Sequence, residues 1–343
     1  MIKRIIKFLA KILLTYVLIC FITPFNNYLR NRSIENQINY LSNILDKGFD
    51  DELQERFPEG KLFSNCLLAL STIEYCNKKK ITNRKYALII DNCIRRIQSD
   101  KAKNVFDSNL PLKYGAFYQG WSNLLYVNYM NCNLFKFSQL RINISSHYNN
   151  FLQNINEIQS NKITILESYF QNNWPADNLI TICAINNPKL RTNWISYLLN
   201  NTEHHMGLIN HSGNNNYLVR GSSTSLITYC LSYCNYSKAV TYNNNFKKLF
   251  IDSYLGIQLV KENQDGSNDM DVDSGPVVFG YGASATIMNI KTQANLKNNF
   301  SAKMTWGALN LISLPINFFN KKFLILKKEP MLDLFMLWSC TEF

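Results

Sequence analysis

Asp269-Met270-Asp271-Val272-Asp273-Ser274 places carboxylates at every second position just before an apolar stretch. Carboxylates crowded in this way raise one another's pKa, so one can stay protonated as a general acid while another serves as base or nucleophile. Asp271 and Asp273 are therefore the leading catalytic candidates. The same string also suits helix initiation, in which an Asp or Ser caps and a Pro follows. One of the carboxylates is expected to cap. A calcium loop is not indicated, because the EF-hand spacing and its terminal Glu are missing.

Other strings could serve a shared cleft. Trp174-Pro175-Ala176-Asp177-Asn178 supplies a third acid, Asp177, behind an aromatic platform, with Asn178 beside it; a first-turn acid favoured by the helix dipole is the alternative. Tyr118, Trp121 and Asn123, from a segment dense in aromatics and amides, could stack on and hydrogen-bond a polar ligand, or could be core. Arg220, followed by Gly221, Ser222 and Ser223, puts a guanidinium at a helix start, where the dipole disfavours a cation, so a fixed anionic partner is implied. Glu59 before Lys61 is a weaker pair. His211 is a candidate acid/base at a cleft mouth. His204, His205 and His211 lack the spacing of a helical zinc pair, so no metal is expected. Neither a Gly-x-Ser-x-Gly elbow nor a phosphate-cradling glycine loop is present, and no cofactor is expected.

These strings recur. Polar clusters start at Pro58, Tyr114, Trp174, Arg220, Asp271 and Glu329, successively 56, 60, 46, 51 and 58 residues apart, each ahead of an apolar run. A period near fifty with two helices per unit is the signature of a helical-hairpin array. The expected helices alternate between runs apolar on all sides, which must be surrounded, and one-sided runs that cover them. The apolar ones run over 61–76, 117–129, 177–185, 222–233 and 275–290. The one-sided ones run over 83–98, 135–159, 189–200 and 237–255, with a further helix from Ser33 to about Lys47 and others from about Asn295 onward. His204 to Ser212 reads as a small strand pair or an ordered loop.

In hairpin number, period and helix-opening polar strings, residues 33–343 resemble the six-hairpin (α/α)6-toroid class, which includes glycoside hydrolases, sugar epimerases, polysaccharide lyases and the linalool dehydratase-isomerase group. The resemblance implies an all-α fold, a single toroid domain of about six hairpins. It also implies that Asp177, Arg220, Asp271 and Asp273 gather at one end, with Arg220 neutralising at least one acid.

The amino terminus is read separately. Lys3, Arg4, Lys7 and Lys11 precede or interrupt an apolar run, and Ile12 to Phe25 carries no charge. Counting Ile5 to Ala10 gives a run of about twenty, long enough to anchor in a bilayer. No small-residue cleavage site follows, so residues 1–30 are expected to be an uncleaved anchor. The basic residues ahead of it place the amino terminus inside and the body outside the cytoplasm; a buried first helix is the alternative. The net charge of +12 is concentrated there and in Ala283–Lys328, which has seven lysines and no acid. A nucleic-acid binder would carry a basic stripe with interleaved aromatics; here membrane proximity is the better reading and no nucleic-acid partner is expected. Nine cysteines with no Cys-x-x-Cys string read mostly as small core residues.

The expected function is a membrane-anchored, envelope-facing enzyme with carboxylate acid/base chemistry on a carbohydrate-type substrate. Two alternatives stand beside it. One is a lyase or isomerase of the linalool dehydratase-isomerase kind, with a more apolar mouth; the other is a non-catalytic protein binding a glycan or partner.

Overall fold

The computed structural model describes residues 2–202, 204–213, 219–271, 274–313, 315–318, 321–324 and 330–343. It is mostly helical, 71% helix against 6% strand, which makes the class all-α. The helices are α1 (Ile2–Phe25), α2 (Asn27–Asp46), α3 (Phe49–Arg56), α4 (Gly60–Lys79), α5 (Arg84–Ile97), α6 (Asp100–Lys103), α7 (Gly115–Met130), α8 (Arg141–Asn161), α9 (Pro175–Ala184), α10 (Pro188–Asn201), α11 (Gly221–Cys234), α12 (Tyr236–Phe250), α13 (Ala283–Asn295), α14 (Asn299–Ser313) and α15 (Pro330–Cys340). Short antiparallel pairs join some of them: β1 (His204–His205) with β2 (Leu208–Ile209), β3 (Ile251–Tyr254) with β4 (Ile257–Val260), β5 (Val277–Val278) with β6 (Tyr281–Gly282), and β7 (Pro315–Phe318) with β8 (Lys321–Leu324).

Six helices form the core: α4, α7, α9, α11, α13 and α15, each buried over most of its length. They pack in succession, α4 on α7, α7 on α9, α9 on α11, α11 on α13, α13 on α15 and α15 back on α4. The covering helices are one-sided. In α5 the buried Tyr86, Ile89, Ile90, Cys93, Ile94 and Ile97 fall at helical spacing on one face, the pattern of a helix packed on one side. Asparagine starts four of them: Asn26, Asn83, Asn187 and Asn235 each accept a backbone N–H in the first turn of α2, α5, α10 and α12. The abundance of Asn is thus partly a matter of N-capping.

Several expected boundaries are corrected. Helix α2 starts at Asn27 rather than at Ser33, which is buried inside it. Between α2 and α4, where no helix is expected, lies α3, and the 135–159 helix is a 3-10 turn (Asn133–Phe137) followed by α8. The 237–255 helix ends at Phe250, where Ile251 begins a strand. The helix expected from Gly275 starts only at Ala283, because Val277-Val278 pair with Tyr281-Gly282 around a turn in which Phe279 and Gly280 have positive φ. Left-handed residues and β-branched pairs make a hairpin there, not a helix start.

Away from the starts of the core helices, Lys291 of α13 is wholly buried. Its Nζ lies 2.6 Å from Glu74 Oε2, 3.2 Å from Glu342 Oε2 and 3.1 Å from the Trp338 carbonyl. Burial alone would lower this lysine's pKa, but the two carboxylates outweigh it and the net shift is upward.

Helix α1 is 24 residues long with a most apolar window of mean hydropathy 2.3, long enough to cross a bilayer. Only 6% of that window is buried, whereas a core helix would be covered on most sides. Eight cysteines are buried and Cys234 is half-buried; all nine are free thiols.

Candidate functional site

A cavity of about 590 Å³ opens where the core helices begin. Each of the six contributes its first turns: Phe63 from α4, Phe117 and Trp121 from α7, Ala176 and Asp177 from α9, Ser222, Ser223 and Leu226 from α11, Ser284 and Met288 from α13, and Met331, Leu332 and Phe335 from α15. Glu59, Tyr169, Trp174, His211, Met270, Asp271 and Pro276 add to its wall. Most of that wall is aromatic or aliphatic. A polar groove of about 690 Å³ along α2 and α5 carries none of the candidate residues.

The polar part of the wall centres on Arg220. Its Nη1 pairs with Asp271 Oδ2, and its Nη2 lies 3.1 Å from Glu262 Oε1, which also accepts the Ser222 hydroxyl at 2.7 Å. Asp271 Oδ1 accepts the Ser274 backbone N–H at 2.9 Å. Burial pushes the Asp271 carboxyl up, but the hydrogen bond and charge of Arg220 and the Ser274 N–H outweigh it, and the net shift is downward. Glu262 is fully buried, and that burial raises its pKa against the opposing pull of Arg220 and Ser222.

Glu262 was not legible as a site residue. It reaches Arg220 because the chain after β4 passes over the start of α11, where the Gly221 N–H donates to the Glu262 carbonyl. A Cβ on Gly221 would stand 2.0 Å from the Lys261 carbonyl oxygen, so only glycine admits this crossing.

His211 is buried beside this cluster, with Nδ1 hydrogen-bonded to Ser223 Oγ. Burial, then the Arg220 charge, lowers its pKa to about 4, partly offset by Asp271. It is neutral at pH 7. Asp177, also buried, accepts the Ser168 hydroxyl at 2.6 Å, and Glu59 accepts the Tyr169 hydroxyl. The Tyr169 and Trp174 rings meet edge to face, 5.6 Å between centroids.

Of the residues picked from sequence, Glu59, Trp121, Trp174, Asp177, His211, Ser222 and Asp271 line the cavity, with Arg220 behind Asp271. Three others do not line it. Tyr118 is buried with its hydroxyl on the Ile97 carbonyl, and Asn123 bonds the Gln119 carbonyl and side chain within its own helix. Asn178 bonds both the N–H and the carbonyl of Leu166, tying the preceding loop to α9. Asp273 lies outside the described residues. Among the described residues no group of three or more His, Cys, Asp or Glu gathers as a metal site.

No protein-family model matches the chain, and no curated protein matches it.

Proposed function

We propose that the six core helices close into an (α/α)6 toroid covering residues 33–343 as one domain, with α1 as its membrane anchor and the body outside the cytoplasm. The cyclic order of packing, in which α15 returns to α4, supports the ring. The four basic residues near the start of α1 support the sidedness.

Within that ring the cavity is the active site of an acid–base enzyme acting on a mainly apolar alcohol, by dehydration or isomerisation. The observation that carries this reading is the makeup of the wall: Phe63, Phe117, Met288, Met331, Leu332, Phe335 and other apolar side chains form most of it, and the polar groups are few, among them His211, Ser223, Asp271, Asp177, Glu59 and Arg56. A sugar would leave most of its hydroxyls against apolar side chains, which is costly. The linalool dehydratase-isomerase side of the resemblance is therefore preferred to the carbohydrate side. In a dehydration the C–O bond breaks as the hydroxyl leaves with a proton from an acid, and a C–H proton passes to a base as the double bond forms. Neutral His211 is the base, Asp177 is the candidate donor, and Asp271, held ionised by Arg220, stabilises positive charge in the transition state.

A second reading, binding without turnover, is favoured by one specific observation: Asp271 and Asp177 both spend an oxygen on internal hydrogen bonds. Trp121 and Trp174 line the cavity, so their fluorescence reports occupancy. Detergent-solubilised full-length protein should show saturable quenching by a long-chain allylic alcohol and none by oligosaccharides. In deuterated water it should release dehydrated or isomerised product, with His211→Asn retaining binding and losing at least 100-fold in turnover. Saturation by oligosaccharides alone would restore the carbohydrate reading, and binding of the alcohol without product would leave the second.

A further inference from the structure

The direction of three helices fixes which end of the body α1 leaves from. Core helix α13 starts at the cavity, where Ser284 and Met288 line it. A three-residue turn, Leu296 to Asn298, joins α13 to α14, so the two run antiparallel. Bridging contacts set their register. Gln258 N–H donates to Thr305 Oγ1 at 2.9 Å while Gln258 Oε1 accepts from Asn289 at 3.0 Å, so Thr305 lies level with Asn289. The later part of α14, ending at Ser313, therefore climbs back towards the cavity end.

Helix α1 is in turn antiparallel to α14. Phe25 meets Phe300 at the start of α14, with 6.1 Å between ring centroids. Phe21 lies on Gly307, where a Cβ would come within 2.7 Å of its ring. Tyr16 donates its hydroxyl to the Asn310 carbonyl at 3.0 Å. Followed from Phe25 back to Tyr16, α1 climbs with α14 to the cavity end. Beyond it, every residue from Ile2 to Thr15 is exposed. At 1.5 Å per residue this free part is about 20 Å long, so a full span of the bilayer must also take in residues of α1 beyond Thr15 and draws the cavity end of the body to the membrane.

A second, independent feature marks the same end. The turns around the cavity carry exposed apolar side chains, Phe170, Met270, Val278 and Phe279, the last 89% exposed. An apolar rim of this kind suits the acyl-chain boundary of a bilayer.

We infer that the cavity mouth rests on the bilayer, and that the cavity takes its ligand from the lipid phase: a membrane-partitioning amphiphile with a long apolar chain and a small hydroxyl-bearing head. The chemistry of the ligand rests on the function proposed above; the orientation rests on the helices alone. An anchor pointing away from the mouth would instead have left the cavity open to water-soluble ligands.

The test uses full-length protein in nanodiscs, bimane-labelled at Phe279→Cys on the mouth rim or at Ile142→Cys. Ile142 is also 89% exposed, and it lies at the opposite end, where Ser145 of α8 reaches Met130, the last residue of α7. Unlabelled-site background is taken from wild type. Lipids brominated on their acyl chains should quench the label at 279 several-fold more than that at 142. Equal quenching at both, quenching only at 142, or none at 279 would overturn the orientation, as would a label at 279 shielded by a second copy or another protein regardless of bromination. A long-chain allylic alcohol carried in the nanodiscs should also change Trp121 and Trp174 fluorescence. Quenching at 279 without that change would leave the orientation standing and remove the proposed ligand.

Discussion

At the scale of single residues, His211 decides how the site responds to pH. In the unfolded chain a histidine titrates near 6.5, whereas the folded His211 titrates at about 4. Between those values the unfolded state binds the additional proton, so stability falls as pH falls from about 6.5 to 4 and is fully present above that window. The shift corresponds to a loss of up to about 3 kcal/mol. Asp271, with its folded pKa lowered, loses stability in the same direction but only at still lower pH. Glu262 has the opposite sign, because a raised carboxyl costs stability as pH rises above its unfolded value. Urea titrations of wild type and His211→Asn at pH 7, 5.5 and 4.5 separate these: the wild-type loss should exceed the variant's by about 2 kcal/mol at pH 4.5. Equal slopes would mean that His211 is not buried neutral. Asp271 and Arg220 were legible because a cation at a helix start needs an anion. Glu262 was not, since nothing in Lys261-Glu262-Asn263 signals that this turn crosses α11.

At the scale of elements, that crossing is the joint on which the polar wall depends. Gly221 opens α11, and the Lys261 carbonyl sits where its side chain would be. The obstacle is backbone rather than a flexible side-chain tip, so Gly221→Ala must displace the 260–263 segment, at about 1–3 kcal/mol. The displacement should also draw Glu262 away from Arg220. Urea unfolding should show the loss, and the tryptophan fluorescence response to ligand should weaken with it; an unchanged midpoint would mean the segment yields freely. The order of apolar and one-sided helices was legible because burial on all sides or one side leaves different periodicities. The start of α13 was misread because Asp-x-Asp-Ser-Gly-Pro carries helix-start chemistry, while the hairpin after it is set by the backbone of Phe279 and Gly280, which composition does not reveal.

At the scale of the whole molecule, the chain must join its first core helix to its last, and this seam had no local signal. Lys291 and Glu74 stand 217 residues apart, and Trp338 and Glu74 264 apart, far beyond any periodic pattern. The join is nonetheless specific. Glu74 of α4 accepts from Lys291 of α13, from the Trp338 indole and from the Thr341 hydroxyl, while Glu342 pairs with Lys291 and Lys78. Removing the lysine leaves two carboxylates facing each other in a largely dry setting, and breaking a buried pair from one side costs about 3–5 kcal/mol. Lys291→Met should fall at the lower end, because Glu74 and Glu342 keep side-chain exposures of 20% and 22%. The triple variant Lys291→Met, Glu74→Gln, Glu342→Gln should recover part of that loss, since no charge is then stranded. Limited proteolysis should find the carboxy-terminal helix released first in the single variant, while ligand quenching of Trp174, at the far end of the core helices, persists in whatever fraction stays folded. If Lys291→Met were as stable as wild type, the seam would be held by apolar packing of α15 on α4 alone, and the buried charges would have no part in closing the fold.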